Sequence, residues 1–394
     1  MKPLAVTAYT TVNALGRGVA ASLRALREER GALRPCDFED AYIPTWIGRV
    51  EGLESDALVD ELAAYDCRNQ RLAQLGLRQD DFSATVAAAA ERYGAERVGV
   101  FIGTSTSGVL STEHAYRARD AGGALPAGFS YRHTHDIASV AEFTQRYLGL
   151  TGPAFGISTA CSSSAKAFAS AYHHLQVGFC DAAVVGGVDS LCLTTLYGFK
   201  SLELASSQPC RPWDVEREGL SLGEAASFAL LEWPRPGTRG IALLGYGESS
   251  DAHHMSAAHP EGVGARQAMA QALTRAGLPA ADIDYINLHG TATPSNDASE
   301  DKAVITLFGG RTLCSSTKGW TGHALGAAGA LEAVFAFLCL EHGFIPASLK
   351  TRQLDPALAA PIVLATREQP VRTVLSNSFG FGGSNCSLLF GRLA

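Results

Sequence analysis

The feature that most constrains this chain is a set of short, unbroken apolar runs. Arg97-Val-Gly-Val-Phe-Ile-Gly103, Asp181-Ala-Ala-Val-Val-Gly-Gly187 and Glu224 to Trp233 are of this kind. A strand without polar alternation is apolar on both faces, and the way to bury both is a sheet sandwiched between helices. Pro3 to Ala8 reads as a further strand and Arg17 to Arg30 as a helix. After the turn-rich Pro234-Arg-Pro-Gly-Thr-Arg-Gly240 the alternation restarts. Ile241 to Gly245 is a strand, Glu261 to Ala276 a helix, Ile283 to Leu288 a strand, Leu325 to His342 a helix, and Val371 to Asn377 a strand. The expectation is an α/β chain in two halves, 1–235 and 236–394. The halves echo one another: Ile157-Ser-Thr-Ala-Cys161 precedes one small-residue helix, and Ser315-Ser-Thr-Lys-Gly-Trp-Thr-Gly-His323 precedes another. A duplicated architecture, with one active group entering from each half, explains the echo.

Composition narrows the function classes. With 32 Lys+Arg against 39 Asp+Glu, the net charge of −7 argues against a nucleic-acid surface. The nine Cys, at 36, 67, 161, 180, 192, 210, 314, 339 and 386, are odd in number and form no Cys-x-x-Cys pair. They read neither as a disulfide framework nor as a zinc site, and a reducing cytoplasm is the expected location. Met1-Lys-Pro-Leu-Ala-Val6 does not read as a signal peptide, and no uncharged apolar stretch approaches ~18 residues, so no membrane span is expected. Only 18% of residues are charged, which suggests that part of the surface is covered by a second subunit.

Four segments carry candidate chemistry. In Thr159-Ala-Cys161-Ser-Ser-Ser-Ala-Lys-Ala-Phe168, apolar residues at 165, 168, 169, 172 and 175 predict a helix from about Ser162. Cys161 would sit at its N-terminus, where unpaired N–H groups favour a thiolate; a buried Cys beside a Ser-rich cap is the bland alternative. His289, in Asn287-Leu-His-Gly-Thr-Ala-Thr-Pro294, stands at the end of an apolar strand, where α/β sheets place reactive groups, although a structural His fits as well. In the third segment, a helix starting near His323 would put Leu325, Ala328, Glu332, Phe335 and Cys339 on one face. Glu332 would then need a buried partner, for which Lys318 is the candidate, unless the helix turns it to solvent. The fourth, Ser376-Asn-Ser-Phe-Gly-Phe-Gly-Gly-Ser-Asn385, has glycines that allow backbone N–H groups to approach a ligand, as many hairpin turns also do. It lacks the Gly-x-Gly-x-x-Gly pattern of a dinucleotide site. His133, His135, His253 and His254 complete no familiar metal spacing, so no metal is expected.

Together these segments resemble the elongating β-ketoacyl-acyl-carrier-protein synthases, decarboxylative condensing enzymes of the thiolase superfamily. The four occur in the family's order, with Gln208 to Asp214 and Asp251-Ala-His-His-Met255 matching two further motifs. The resemblance implies a duplicated five-layer α/β/α/β/α fold. It makes Cys161 the acyl-accepting nucleophile, His289 and His323 the groups that stabilise the enolate left when a malonyl-carrier loses CO₂, and Lys318 with Glu332 their charge support. It makes the N–H groups of Cys161 and Phe381 the oxyanion hole, Phe381 a gate, and Thr291 and Thr293 ligands of the pantetheine arm. The implied partners are an acyl carrier protein, bearing its substrates on phosphopantetheine with no other cofactor, and a second subunit, either identical or a Cys-less chain-length partner. Gly223-Glu224-Ala225-Ala226, Ser162-Ser163-Ser164 and Glu203 depart from the fatty-acid pattern and leave fatty-acid and polyketide or polyene pathways both open. A non-catalytic chain-length subunit and a Cys-His hydrolase are the competing readings. Docking of an acidic carrier needs a local basic patch, for which Arg68 and Arg71 are the candidates.

Overall fold

The computed structural model describes Met1 to Leu393. The main path of the central sheet takes five strands from the first half, leaving aside the two-residue Gly16–Arg17 paired on the first of them: β1 (Leu4–Asn13), β2 (Val98–Gly103), β3 (Ala154–Ile157), β4 (Ala182–Asp189) and β5 (Ala225–Glu232). Five come from the second: β6 (Gly240–Ser250), β7 (Tyr285–Asn287), β8 (Leu313–Ser315), β9 (Thr373–Gly380) and β10 (Ser384–Leu393). They hydrogen-bond in the order β8-β7-β9-β10-β6-β1-β5-β4-β2-β3. Read outward from the middle, each half therefore repeats one order, 1-5-4-2-3 and 6-10-9-7-8. Pairing repeats as well: β3, β2 and β4 run parallel, as do β8, β7 and β9, while β5 and β10 pair antiparallel on both sides. The halves join where β1 meets β6 antiparallel, with Leu4 opposite Leu243 and Ala5 opposite Ala242.

The unbroken apolar runs became strands buried at every position, β2, β4 and β5 among them. Glu232 at the end of β5 is tolerated there because it accepts hydrogen bonds from Arg92 (2.8 Å) and the Tyr93 hydroxyl (3.1 Å). Helices α1 (Arg68–Leu77) and α2 (Phe82–Tyr93) cover the outer face of the first half. Farther along the chain are α3 (Ser163–Gln176) and, in the second half, α4 (Val263–Ala276) and α5 (Pro294–Phe308), the last two covering that half's outer face. Between the two half-sheets lie α3 and α6 (Ala328–His342), in the largest apolar cluster. This is the layered, duplicated arrangement that the echo pointed to.

Two expectations change. The third segment's helix begins at Ala328 rather than at His323, after Leu325 with a left-handed φ of 49° and a tight turn over Leu325–Ala327. Nor does α6 carry an apolar stripe: Ala328 to Leu340 are buried all round, because strands of both halves press on it. The window Leu325–His342 has a mean hydropathy of 1.4 and the length to cross a membrane, but 89% of it is buried inside the protein.

The two central helices touch closely. A Cβ on Gly329 of α6 would come 2.7 Å from the Ala165 nitrogen and 2.8 Å from its Cβ, and the Ala330 N–H donates to Ser164 Oγ at 2.9 Å. Gly329→Ala should therefore cost about 1–3 kcal/mol by overpacking. Gly198→Ala, in the helix Leu193–Ser201 with nothing within 4 Å of the added Cβ, should be neutral or stabilise by up to about 1 kcal/mol. Paired denaturant titrations check the contrast; equal losses at both sites would remove the close-contact argument.

Candidate active site

Each half delivers its reactive groups from the ends of its parallel strands. Past β3, Ala160 takes a left-handed φ of 54° and turns the chain sharply into α3. Ser163 holds that turn, its Oγ accepting from the Thr159 N–H (2.9 Å) and donating to the Ala160 carbonyl (2.5 Å). Cys161 is thereby fixed just ahead of the α3 N-terminus. Past β7 comes His289, and past β8 a single turn, Lys318–Thr321, leads to His323. The end of β9 supplies Phe379 and Gly380, where a Cβ on Gly380 would lie 2.8 Å from the Thr159 carbonyl. The glycine lets the Phe381 loop approach the nucleophile turn.

The structure brings Cys161, His289 and His323 together. Cys161 Sγ lies 3.0 Å from His323 Nε2, and one donor atom from each of the three lies within 4.8 Å of the other two. The imidazoles meet edge to face at 5.4 Å between centroids. All three side chains are buried, with residue exposures of 6%, 2% and 1%. Burial, with the Lys318 charge second, holds both imidazoles well below the usual histidine range, so they are neutral at pH 7. A neutral imidazole keeps one N–H to donate and brings no charge of its own.

The expectation of an acidified thiol is not met. Burial pushes Cys161 up to about 11, outweighing Lys318 and the Phe381 and Cys161 backbone N–H groups, all of which favour the thiolate. Desolvation is the larger effect. Lys318 Nζ donates to Glu332 Oε1 at 2.5 Å, so the buried carboxylate has the partner that sequence reasoning assigned to it. Burial raises the Glu332 carboxyl to about 7 against the pull of that ammonium.

A narrow cavity of about 40 Å³ opens beside the sulfur. Its walls include Thr291, Thr293, Phe379 and Phe381. The Thr291 and Thr293 hydroxyls bond each other at 2.9 Å. Phe381 packs on Phe199 at 5.6 Å between centroids, and the next residue's N–H donates to the Met255 carbonyl at 2.8 Å. The Phe381 loop and the 251–258 loop therefore close the cavity together.

Several site residues escaped sequence reasoning. Glu300 accepts from the N–H groups of His289 and Gly290, both at 2.8 Å, and from Asn377 Nδ2 at 3.0 Å, and so fixes the His289 turn. Asp189 accepts from Thr104 Oγ1 (2.7 Å), Ser105 N (2.8 Å), Thr106 N (2.8 Å) and Gly326 N (2.6 Å), tying the nucleophile side to the approach of α6. One signal was available: Asp297, Glu300 and Asp301 share a helical face with Val304, and that face is buried.

Arg68 and Arg71 are corrected. The Arg68 side chain, 7% exposed, donates to Glu224 (2.8 and 2.6 Å) and to Glu54 (2.6 Å), while Glu224 also accepts from the Val50 and Leu191 N–H groups. Arg71 is held by Asp66 at 2.5 and 2.6 Å. Both charges are compensated within the chain, so the pair is no free basic patch. His133 and His135 are also occupied, bonding Ser130 (2.9 Å) and Thr112 (2.6 Å).

Two outcomes follow from these environments. Alkylation of Cys161 in the free enzyme should climb about tenfold per pH unit from pH 7 to 10, and should be slower at each pH in Lys318→Met, which loses a charge favouring the thiolate. A plateau below pH 8, measured by peptide mass, would mean a thiolate–imidazolium pair instead. Arg68→Ala should cost about 3–5 kcal/mol by leaving Glu224 buried and unpaired, whereas Arg71→Ala should cost under about 1 kcal/mol; chemical denaturation reads both.

Residues 1–234 match the family model described as "Beta-ketoacyl synthase, N-terminal domain", and residues 241–352 match its C-terminal domain. The chain is 34% identical to 3-oxoacyl-[acyl-carrier-protein] synthase 2 of Rhizobium meliloti (strain 1021), over 100% of this chain and 99% of that protein. It is 40% identical to the mitochondrial 3-oxoacyl-[acyl-carrier-protein] synthase of Arabidopsis thaliana over 61% of this chain and 57% of that protein. Among solved structures, it superposes with a TM-score of 0.90 and 40% identity on a ketosynthase in complex with its chain length factor from Xenorhabdus doucetiae, covering 100% of this chain and 98% of that one. With the duplicated layers and the buried Cys-His-His cluster, these matches assign the chain to the β-ketoacyl synthase family of thiolase-fold condensing enzymes.

Proposed function

We propose that the chain catalyses decarboxylative Claisen condensation between an acyl group held on Cys161 and a malonyl-carrier. The observation that carries this reading is the convergence of Cys161 with two neutral imidazoles in one cavity. In the first step the sulfur attacks the acyl-pantetheine thioester. The N–H groups of Cys161 and Phe381 receive the oxyanion, and the thiol proton leaves with the pantetheine sulfur. In the second, the malonyl carboxylate departs as CO₂, and the electron pair moves onto the thioester oxygen, where N–H donors of His289 and His323 stabilise the enolate. The enolate carbon attacks the acyl carbonyl, a carbon–carbon bond forms, and Cys161 is released. Neutral donors suit this step, because charge appears on the oxygen only as CO₂ leaves. Lys318, compensated by Glu332, supports both imidazoles, and Thr291 and Thr293 bind the pantetheine arm.

The same reading makes the acyl carrier protein the substrate-bearing partner, its phosphopantetheine the only prosthetic group required, and the cytoplasm the location. It divides the chain into functional halves at 1–235 and 236–394. It takes a second ketosynthase-like chain as subunit; a Cys-less chain-length partner is supported by the solved ketosynthase of 40% identity being a complex of that kind. The products are acyl chains of fatty-acid or polyketide type. A non-catalytic chain-length subunit is disfavoured, since nothing in that role calls for the full Cys161, His289 and His323 set.

Cys161→Ala should abolish condensation yet keep decarboxylation of malonyl-carrier. His323→Ala should lose decarboxylation by about 10²–10³-fold, while Cys161 is still acylated by an acyl-carrier. Intact-mass analysis of both carriers reads each step; elongation by Cys161→Ala would falsify the nucleophile assignment.

A further inference from the structure

The cluster Cys161, His289 and His323 offers one thiol and two imidazoles. This donor set can do more than the chemistry above. We propose that the free enzyme also binds a thiophilic divalent cation, Zn²⁺ above all, through Cys161 Sγ and one ring nitrogen each of His289 and His323, and that the bound ion blocks acylation.

The geometry is close to what such an ion requires. Tetrahedral zinc, at about 2.3 Å from sulfur and about 2.0–2.1 Å from nitrogen, sets its donors roughly 3.5 Å apart. Here Sγ and His323 Nε2 are 3.0 Å apart, and no pair in the cluster exceeds 4.8 Å. The donors need to shift by no more than about 1.5 Å relative to one another to meet that spacing. The adjoining cavity leaves a fourth position for water, giving three protein ligands and one open site. Thiolate and imidazole select zinc or cadmium over magnesium and calcium, which prefer oxygen. The Lys318 ammonium opposes any cation, but Glu332 compensates it, and the Cys161 thiolate adds a negative charge at the ion itself.

The exchange balances. The Cys161 thiol proton passes to solvent as the zinc–sulfur bond forms, and the sulfur pair that would attack a thioester is shared with the metal. An acylated sulfur carries no charge and is a poor ligand, so the ion and the acyl-carrier compete for the free enzyme alone. Metal binding rests on the cluster's geometry; only its meaning as inhibition rests on the proposed reaction.

The test is iodoacetamide alkylation of Cys161 in the intact protein, followed by peptide mass with Zn²⁺ buffered at a known free concentration. At a free concentration about ten times Kd, alkylation should slow about tenfold, recover with EDTA and ignore Mg²⁺. Protection should largely disappear in His289→Ala. Co²⁺ should give an intense thiolate-to-cobalt charge-transfer absorption that is missing in Cys161→Ala. An unchanged alkylation rate with Zn²⁺ overturns the proposal, and so does equal protection of His289→Ala. Protection together with failure of condensation in the metal-free enzyme would instead remove the proposed reaction and leave the metal site standing.

Discussion

The close contact between α3 and α6 is the constraint on which the site depends. One helix follows Cys161 and the other follows His323, so the distance between sulfur and imidazole is set by how near the two helix axes come. Small residues at the crossing, Ala165 against Gly329 and Ser164 against the Ala330 N–H, let them approach to backbone contact. The duplicated strand order then places the two helices symmetrically between half-sheets, so that neither moves without disturbing both.

Charge around the site is arranged on the same logic. Lys318 is the cation whose charge both histidines feel, and it is paired with Glu332 one turn into α6. Burial, with the Lys318 charge second, keeps the imidazoles neutral. That charge is too little to ionise a thiol that burial pushes up to about 11. The resting site is thus close to uncharged, apart from one compensated pair. A dry, nearly neutral cavity with donors already aimed suits a reaction whose charge appears only in passing.

Much of this was legible in the chain. Unbroken apolar runs announced β2, β4 and β5, because burial on both faces leaves no polar alternation. The turn at 234–240 marked the restart, and the paired segments before α3 and α6 exposed the duplication. Glu332 pointed to Lys318 because a carboxylate in an apolar helix needs a nearby cation. Other features depend on distance in space rather than in sequence. Arg68 looked free because its partner Glu224 lies 156 residues away. Asp189 and Glu300 act on backbone N–H groups, which carry no residue identity to read. The direction of the Cys161 shift was missed because the helix end is visible in sequence and the desolvation is not.

The burial of α6 on all sides has a consequence for how the chain is made. No solvent-facing side exists to keep it dissolved alone, and its neighbours come from both halves, including β9 and β10, which follow it. Until those strands are synthesised and paired, the side of α6 that faces the second half-sheet has nothing to cover it. A ribosome-bound intermediate would therefore expose a helix with the hydropathy of a membrane segment. Partners that shield nascent apolar surface, and the speed at which the last two strands appear, become part of what this architecture requires to reach its native state.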